Sequence, residues 1–527
     1  MFRFLVQRNR SKGRTQQGEA SAQQVIDSGR RIEPSVQSNI AYIQQLLGSP
    51  SDLILREFTI GPLKHPCALV AIDGLFDRKV LNEEVLRVML SGEWQQHKEL
   101  PEDGDQLLQM LQQEVLSVTD ILKATTMDEL MLEVMSGNAA LFVSGSHQAL
   151  TLSSQGWKSR AIQEPVTEQL IRGPRDGFTE DLRSNTAAIR RRLKDPNLRF
   201  DTVKIGRRAK KDIVICYIEG IVNPELVKEA KRRVDTIDLD DTEDSGMIEQ
   251  WIMDSFMSPF PQLQSTERPD RTSASLVQGG VAILVDGTPF GLTLPLTITA
   301  LVQSPEDYYH HWIIATLMRV LRMIAAFIAT FLPALYIALV EFHQGMIPSK
   351  LAFSIAGSRE GVPFPGVIEA VLMEVTLEVL REAGVRLPKP IGQTIGIVGG
   401  LVIGEAAVSA GIVSPIMVIV VSITAIASFA LPSYTFAISL RILRFGIMML
   451  AAVFGLFGIV LAYIMINIHL VNLKSFGVPF LTPFAPYLKK DWKDLVIRAP
   501  VTMLTRRPQM LQTDDKVRMN TRGDSTQ

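Results

Sequence analysis

The sequence predicts a cytoplasmic α/β region of two subdomains, followed by an α-helical polytopic membrane domain. Charged residues are spread through the first half of the chain, whereas Ala406–Leu440 and Phe445–Leu473 contain no Asp, Glu, Lys or Arg. A helix needs about 20 apolar residues to cross the hydrocarbon core of a bilayer, and both segments are long enough. Strand and helix patterns alternate in the first half, which is typical of α/β and α+β proteins. The formal charge of −1 over 527 residues is therefore an average over two unlike regions.

Residues 1–35 are predicted to be a disordered basic tail, because they are polar and basic. The chain starts MFRFLVQRNRSKGRTQQGEASAQQ, which has no apolar run of about 7–15 residues and no small-residue cleavage site. This start does not resemble a secretory signal peptide, so we expect the large charged region to stay in the cytoplasm. The near-neutral charge also argues against a chain built mainly to bind nucleic acid.

Residues 36–155 are predicted to form the first α/β subdomain. Short apolar runs predict its strands, and apolar residues that recur every three or four positions predict its helices. The predicted strands are Leu53–Ile60, Cys67–Ile72, Ala139–Val143 and Ala149–Leu152, and the predicted helices are Lys79–Leu90 and Asp105–Val118.

Residues 156–305 are predicted to form the second α/β subdomain. One of its helices has a plausible N-cap in Asn223, whose side chain can accept a hydrogen bond from the first turn. The predicted helices are Thr179–Lys194 and Pro224–Val234, and the predicted strands are Arg199–Ile205, Asp212–Ile218 and Val277–Val285.

Two basic runs, Arg190–Lys194 and Arg207–Lys211, lie in this second subdomain. We interpret them as solvated surfaces or as contacts with anionic lipid headgroups. Nucleic-acid binding is the alternative, and it is disfavoured because no aromatic side chains alternate with the charges to stack on bases.

The sequence contains no recognisable catalytic motif, and we expect the chain not to be an enzyme. Walker-type, H-E-x-x-H, G-x-S-x-G and dinucleotide-binding patterns are missing. Two cysteines, Cys67 and Cys216, are too few for a disulfide scaffold or a zinc cluster. His310 and His311 are adjacent, so on a helix their side chains diverge, and we interpret them as interfacial residues. We therefore predict no cofactor and no metal.

Residues 306–475 are predicted to form the transmembrane domain, and residues 476–527 a basic C-terminal tail. Residues 471–527 contain ten Lys and Arg against five Asp and Glu, a net charge of +5, which favours the cytoplasmic side. Arg319 and Arg322 flank the first span in the same way. Arg441 and Arg444 would lie outside in a four-span arrangement, and a fifth crossing near residues 363–385 would put the tail outside. We favour both termini inside. The predicted spans are Leu321–Val340, Ile391–Gly411, Ile412–Pro432 and Phe445–Ile466.

An acidic helix is predicted between the prolines at 363–365 and Gly384. Glu374, Glu378 and Glu382 are spaced four residues apart and therefore share one helix face, and Glu369 lies one turn before them. Carboxylates are costly in lipid. The helix either lies at the interface with its acidic face in water, or several copies turn this face towards a water-filled axis, as in the acidic rings of cation channels.

The predicted span Ile391–Gly411 has glycines at every fourth position from Gly392 to Gly404, which allows close helix packing. Glu405 is a different kind of residue, an ionisable group late in an apolar span. It is either neutral and hydrogen-bonded, exposed to water near the turn at Gly411, or part of an ion path.

Long motifs in both regions resemble the A subunit of the bacterial spore germination GerA family. Ile171–Leu198 (IRGPRDGFTEDLRSNTAAIRRRLKDPNL) is similar to the soluble-domain signature of this family. Pro363–Gly384 (PFPGVIEAVLMEVTLEVLREAG) and the segment Pro388–Phe429 resemble its membrane-domain signature. The resemblance covers about residues 35–495, whereas the two ends differ.

The resemblance implies a subunit of a nutrient germinant receptor in the inner membrane of the dormant spore. Its expected partners are a permease-like B subunit, which binds the nutrient, and a lipoprotein C subunit. It also implies that A subunits assemble into a ring that acts as a nutrient-gated cation channel. In such a ring, Glu374 and Glu378, helped by Glu369, would shape cation access or conduction, and Glu405 is a second candidate for the ion path.

Two other functions remain open from the sequence. In a secondary transporter, Glu405 and a glycine-interrupted span would bind the substrate and a coupling ion. Against this, four or five spans are few and no repeated halves are recognisable. In a membrane scaffold without a pore, the cytoplasmic region would only anchor partner proteins.

Overall fold

A computed structural model describes residues 29–48, 50–61, 64–91, 101–156, 164–165, 167–386 and 402–519. The chain divides into two compact units. Unit one consists of Met1–Met253, Leu263–Pro295 and Val501–Gln527, and unit two consists of Asp254–Gln262 and Leu296–Pro500.

Unit one contains two five-stranded antiparallel sheets. The strands of the first are β1 (Leu53–Ile60), β2 (His65–Ile72), β3 (Ile121–Ala124), β4 (Ala139–Val143) and β5 (Ala149–Leu152), in the spatial order β1-β2-β4-β5-β3. The strands of the second are β6 (Leu198–Ile205), β7 (Lys211–Ile218), β8 (Gln264–Thr266), β9 (Val281–Val285) and β10 (Gly291–Leu294), in the order β6-β7-β9-β10-β8. The two orders are the same, so unit one contains two copies of one topology.

Helices cover both faces of the first sheet. Successive side chains of a strand point to opposite faces. In β2, Ala68 and Val70 accordingly join a core with the helices Val36–Leu47 and Met127–Met135, whereas Leu69 packs into the core on the other face. The second face is covered by the π-helical stretch Val80–Arg87, its continuation Val88–Ser91, the helix Gly104–Met110 and the π-helical turn Leu111–Val115.

Of the four described α-helices that follow β5 in unit one, all but Pro269–Gln278 begin at a capping side chain. Asp181 accepts a hydrogen bond from the Ser184 amide, and Asn223 accepts one from the Glu225 amide, so each satisfies a backbone donor of the first turn. The Asn223 cap confirms the expectation from the sequence. The helices of this half are Leu182–Arg192, Pro224–Asp235, Ser245–Ile252 and Pro269–Gln278.

The structure corrects one predicted strand of unit one and adds elements that the sequence analysis does not predict, among them β3, β8 and β10. The segment expected to be a strand from Val277 begins instead as the end of the helix Pro269–Gln278, and the strand starts only at Val281, after Gly279 ends the helix in a left-handed conformation. The predicted tail 1–35 lies mostly outside the described residues. Within its described part, Ile32 is buried and its amide donates to the Thr125 carbonyl.

Unit two is a helical bundle. It begins with the short helices Ile298–Val302 and Glu306–Tyr309, and contains the first long helix (Trp312–Glu341), the helix Ser349–Arg359, the acidic helix (Gly366–Arg386), the short apolar helix (Pro415–Phe429) and the broken helix (Tyr434–Asn472). Among the described residues, the first long helix and the broken helix are long and apolar enough to cross a membrane.

The broken helix turns back on itself at Gly455. Its φ of 59° and ψ of −138° are not helical. Phe436 and His469 both lie beside the Phe260 ring, at centroid distances of 6.3 and 6.1 Å. In a straight helix they would be about 50 Å apart at a rise of about 1.5 Å per residue. The segment is therefore a hairpin of two antiparallel helices.

This hairpin corrects the predicted single span Phe445–Ile466. Both of its halves are apolar, so a hydropathy pattern reads them as one continuous span. The predicted span Leu321–Val340 lies within the first long helix. Ile412–Pro432 corresponds to the short apolar helix, which follows a turn with Gly411 at φ 64°. Most of the predicted span Ile391–Gly411 lies outside the described residues, which resume with a helix at 402–409.

Contacts within unit two show which helix ends lie together. Glu341, near the end of the first long helix, accepts a hydrogen bond from the Val367 amide, so the acidic helix starts there and runs back. The Ser414 amide donates to Glu369, so the short apolar helix starts at the same end. At the opposite end, Arg381 lies over the Phe429 ring. The acidic helix and the short apolar helix therefore run in the same direction, antiparallel to the first long helix.

The described part of the C-terminal segment, residues 476–519, packs into the two units. Residues 476–500 belong to unit two, and residues 501–519 pack into unit one. There, the Asp514 amide donates to the Ile221 carbonyl at 3.1 Å, and the Arg507 guanidinium donates to the Val277 carbonyl at 2.9 Å.

Candidate functional site

The acidic helix turns its carboxylates towards arginines on neighbouring helices. The closest pair is Glu374 and Arg444, whose side chains are each 2% exposed and whose charged atoms are 2.8 Å apart. The second carboxylate oxygen of Glu374 and the Nε atom of Arg444 have no hydrogen-bond partner among the described residues. A buried pair of this kind is stable only while both charges are present, because either one alone is expensive to bury.

Glu378 binds two arginines. Its carboxylate lies 2.9 Å from Arg381, on the next turn of the acidic helix, and 2.9 Å from Arg441, on the broken helix. The three side chains line an open cavity of about 770 Å³ together with Glu382 and Tyr434, whose ring Arg441 approaches. The remaining wall is apolar, so this cavity combines balanced charges with a hydrophobic surface.

Glu369 lies at the start of the acidic helix and is fully buried. One carboxylate oxygen lies 3.1 Å from Arg359, and the other accepts a hydrogen bond of 2.8 Å from the Ser414 amide. Glu369 thereby joins the acidic helix to the preceding helix and to the start of the short apolar helix. Its carboxylate satisfies an amide at that helix N-terminus, where negative charge is favourable.

Glu405 has a different environment from the other three acids. It lies in the helical residues 402–409 and is exposed. In the part of the chain that the structure describes, no cation lies within ion-pair distance of its carboxylate. Of the four acids selected from the sequence, Glu405 is therefore the one whose charge is not balanced by an arginine there.

The structure brings Glu374 and Glu378 onto one face, as the four-residue spacing indicates, but this face meets the broken helix. Arg441 and Arg444 are spaced three residues apart and run antiparallel to the two acids, so each acid meets one arginine. In the sequence analysis, Arg441 and Arg444 bear only on the number of membrane crossings. Their helical spacing in an apolar segment is the signal that could have identified them as partners.

A second buried charge cluster lies at the beginning of the first long helix. Arg319 is 1% exposed and lies 2.9 Å from Asp307 and 2.8 Å from Asp494. Arg322 also binds Asp307, at 2.8 Å, and Tyr308 donates to Asp494 at 2.7 Å. The sequence analysis assigned Arg319 and Arg322 to a cytoplasmic flank. The structure shows that both arginines bind Asp307 and that Arg319 joins the start of the first long helix to the segment near Asp494.

The interpretation of the basic run Arg190–Lys194 as a solvated surface changes at its first residue. Arg190 does not lie on a solvated face, because it is fully buried and binds Asp52 through two nitrogens at 3.0 Å each. Its guanidinium also lies over the Phe200 ring. His311 caps the first long helix, since its ring nitrogen accepts from the Ile313 amide at 3.4 Å. Within the described ranges, no group of three or more His, Cys, Asp and Glu side chains could hold a metal ion.

Comparison with known proteins points to one protein family. The family model described as Bacillus/Clostridium GerA spore germination protein matches residues 41–510. The chain is 48% identical to spore germination protein GerLA of Bacillus cereus, over 90% of this chain and 95% of that protein. It is 44% identical to the uncharacterized membrane protein YfkQ of Bacillus subtilis (strain 168), over 91% of this chain and 92% of that protein.

A solved structure is also similar to part of the chain. It is the N-terminal domain of the A subunit of the Bacillus megaterium spore germinant receptor GerK3. The similarity covers 50% of this chain and 96% of that one, with 31% sequence identity and a TM-score of 0.40.

Proposed function

Because the chain belongs to the GerA family of spore germination proteins as an A subunit, we propose that it is the channel-forming subunit of a nutrient germinant receptor. This is a receptor family and not an enzyme family. In the proposed complex, several copies form a ring in the inner membrane of the spore. A B subunit binds the nutrient, a C subunit completes the receptor, and cations pass when the ring opens.

The acidic helix is the observation that carries this proposal. Three of its four carboxylates, at 369, 374 and 378, are paired with arginines in the membrane bundle, where charges are retained only at a cost. A ring of identical chains would repeat this helix around one axis, and repeated carboxylates attract cations. Glu405 carries an exposed charge already, so it is positioned to contribute before any rearrangement.

The arginine partners give the proposed channel a closed state. Arg444 and Arg441 neutralise Glu374 and Glu378, so these acids offer little net attraction to a cation while the pairs persist. Nutrient binding on the B subunit would favour a second arrangement in which the acidic helix and the broken helix separate or shift register. Such a ligand acts only through its different affinity for the two states.

The proposed topology places both termini in the cytoplasm. The segment after the broken helix binds the start of the first long helix through Asp494 and Arg319, which supports an even number of crossings between them. The packing of residues 501–519 into unit one, which also contains the N-terminal sheets, supports a single side for both ends. The chain would then cross the membrane between Trp312 and Asn472, with the α/β region in the spore cytoplasm.

The test is potassium release from spores that carry altered acids. Glu374→Gln/Glu378→Gln spores should release potassium at least about tenfold more slowly after nutrient addition than wild-type spores, at equal protein level. Removing these acids also leaves Arg444 buried without a partner, which can disturb folding. A second variant, Glu374→Gln/Arg444→Gln, therefore removes the buried pair as a whole and keeps the site neutral.

The two variants separate an ion path from simple packing. If Glu374 acts in conduction, both variants slow release while the exposed-acid control Glu360→Gln releases at the wild-type rate. If Glu374 serves only to balance Arg444, the neutral variant behaves as the wild type. Wild-type release from both variants, with normal protein levels, would refute an ion-path role for these carboxylates.

A further inference from the structure

The segment after the broken helix carries an exposed patch of aromatic and basic side chains, the aromatic-basic patch. Its aromatic members cluster around Trp492, whose ring centroid lies 5.5 Å from that of Phe484 and 5.6 Å from that of Tyr487. The patch consists of Phe484, Tyr487, Lys489, Lys490, Trp492 and Lys493, all of which are exposed.

We propose that the aromatic-basic patch binds the headgroups of anionic phospholipids at the membrane surface. No step of this proposal depends on the chain forming a channel. The proposal concerns the depth of this end of the bundle in the bilayer.

The position of the patch is the first argument. Asp494, directly after it, binds Arg319, and the Arg498 amide donates to the Thr316 hydroxyl at 3.1 Å. Thr316 and Arg319 lie in the first two turns of the first long helix. The patch is therefore fastened to the bundle at the level where that helix begins.

The exposed side chains around the start of the first long helix indicate that it lies at the edge of the hydrocarbon region. Ile313, Ile314, Leu317 and Leu321 are all exposed, at 56%, 47%, 56% and 50%. A band of exposed apolar side chains on a long apolar helix is the surface that lipid tails cover. Because the patch is held beside the start of this band, its side chains lie near the depth of the headgroups.

The composition of the patch fits that depth. Trp and Tyr are enriched where membrane proteins cross the interface, since their rings are apolar and their N–H or O–H groups remain in contact with water. Lysines near the surface are attracted to anionic lipids. Within residues 484–493 there are three lysines and one acid, Asp491, so the patch is positively charged overall.

A lipid surface explains the aromatic side chains better than water does. Tyr487 is 65% exposed, and Phe484 and Trp492 are 37% and 38% exposed, although the Trp492 ring packs against the other two. Clustered apolar groups that face outwards next to lysines mark a contact with another phase or molecule. Continuity with the apolar band of the first long helix favours the bilayer over a protein.

Depth measurement on the full chain tests the position. Both native thiols, Cys67 and Cys216, are buried, so a Tyr487→Cys variant offers one accessible thiol for a nitroxide label. The protein is reconstituted in vesicles of phosphatidylcholine with phosphatidylglycerol. We expect the label to be at least about threefold more accessible to oxygen, relative to a water-soluble nickel chelate, than a label at Lys123→Cys, an exposed position in unit one.

Lipid preference tests the charge. Lys489→Gln/Lys490→Gln/Lys493→Gln should lower the preference for spin-labelled phosphatidylglycerol over phosphatidylcholine by at least about fivefold, the factor expected from one surface lysine. The matched control, Lys79→Gln/Lys123→Gln/Lys228→Gln, removes three exposed lysines from unit one and should leave this preference unchanged.

Three outcomes would overturn the proposal. A label at 487 that is as accessible to the nickel chelate as the unit-one control would place the patch in water. Protection from both quenchers would mean that protein covers it. An unchanged phosphatidylglycerol preference in the lysine triple variant would show that anionic headgroups are not its ligand.

Discussion

At the scale of single residues, buried arginine–carboxylate pairs determine the local structure in both units. Asp52 with Arg190 joins the first sheet of unit one to the second half of that unit, and Glu374 with Arg444 joins two helices of unit two. Removing one member of such a pair costs more than the pair contributes, because the remaining charge is buried alone.

Arg190→Ala should therefore destabilise the strands around it strongly. The Arg190 side chain is 1% exposed and that of Asp52 is 9% exposed. We expect a loss of about 3–5 kcal/mol in the free energy of opening, measured by hydrogen exchange of β6 and β7 amides in the full chain. The control is Arg207→Ala, which removes an exposed pair with Asp238 and should change nothing measurable. Equal hydrogen-exchange protection of the β6 and β7 amides in the two variants would contradict the structural role of Arg190.

Glu249 makes the stability of unit one depend on pH. Burial, followed by the nearby Asp244 carboxylate, raises the pKa of Glu249 to about 7. The folded protein then holds this proton more tightly than the unfolded chain, whose carboxyl has its ordinary pKa of about 4.3. Stability should fall as pH rises from about 4.3 to 7, because over this range the unfolded chain releases the proton that the folded state still holds.

The check is the thermal unfolding midpoint of unit one across that pH range. Glu249→Gln should flatten the decline with pH, whereas Glu243→Gln, at an exposed position, should keep the wild-type slope. A slope in Glu249→Gln that equals the wild-type slope would mean that another group is responsible.

At the scale of elements, the hairpin in the broken helix depends on close backbone contact. A Cβ atom on Gly458 would lie 2.1 Å from the carbonyl oxygen of Leu450, which is closer than any real contact. The two halves can pack only because this position has no side chain. In contrast, a Cβ atom on Gly446, on the first half, would meet nothing within 4 Å.

Gly458→Ala should consequently open the hairpin, whereas Gly446→Ala should be tolerated. We expect the first variant to lower the thermal midpoint in detergent by several degrees and to reduce the yield of folded protein. The thermal midpoint of the second variant should match or slightly exceed that of the wild type, because alanine has a higher helix propensity than glycine. Two variants with the same midpoint would contradict the close approach at Gly458.

The sequence predicted the strands β1, β4 and β5 with their observed bounds, because short apolar runs between turn residues are a local signal. It predicted the acidic helix from its prolines and its four-residue spacing. It missed the reversal at Gly455, since composition reports that a segment is apolar and not which way it runs. It also missed Arg441 and Arg444 as partners, because contacts between distant segments leave no local pattern.

At the scale of the whole molecule, the pairing of the membrane acids has a direct consequence for function. In one chain, Glu369, Glu374 and Glu378 each bind an arginine, so a single copy presents its acidic helix largely neutralised. Several carboxylates can surround a common axis only if several chains assemble around it. The proposed conduction of cations therefore requires an oligomer.

The mass of the full chain in lipid nanodiscs, extracted directly from membranes, tests this requirement most directly. A ring of A subunits predicts particles that contain several copies of the chain, with and without the partner subunits. Discs that contain one copy under both conditions would contradict the channel, because one chain supplies only one acidic helix to the proposed pathway.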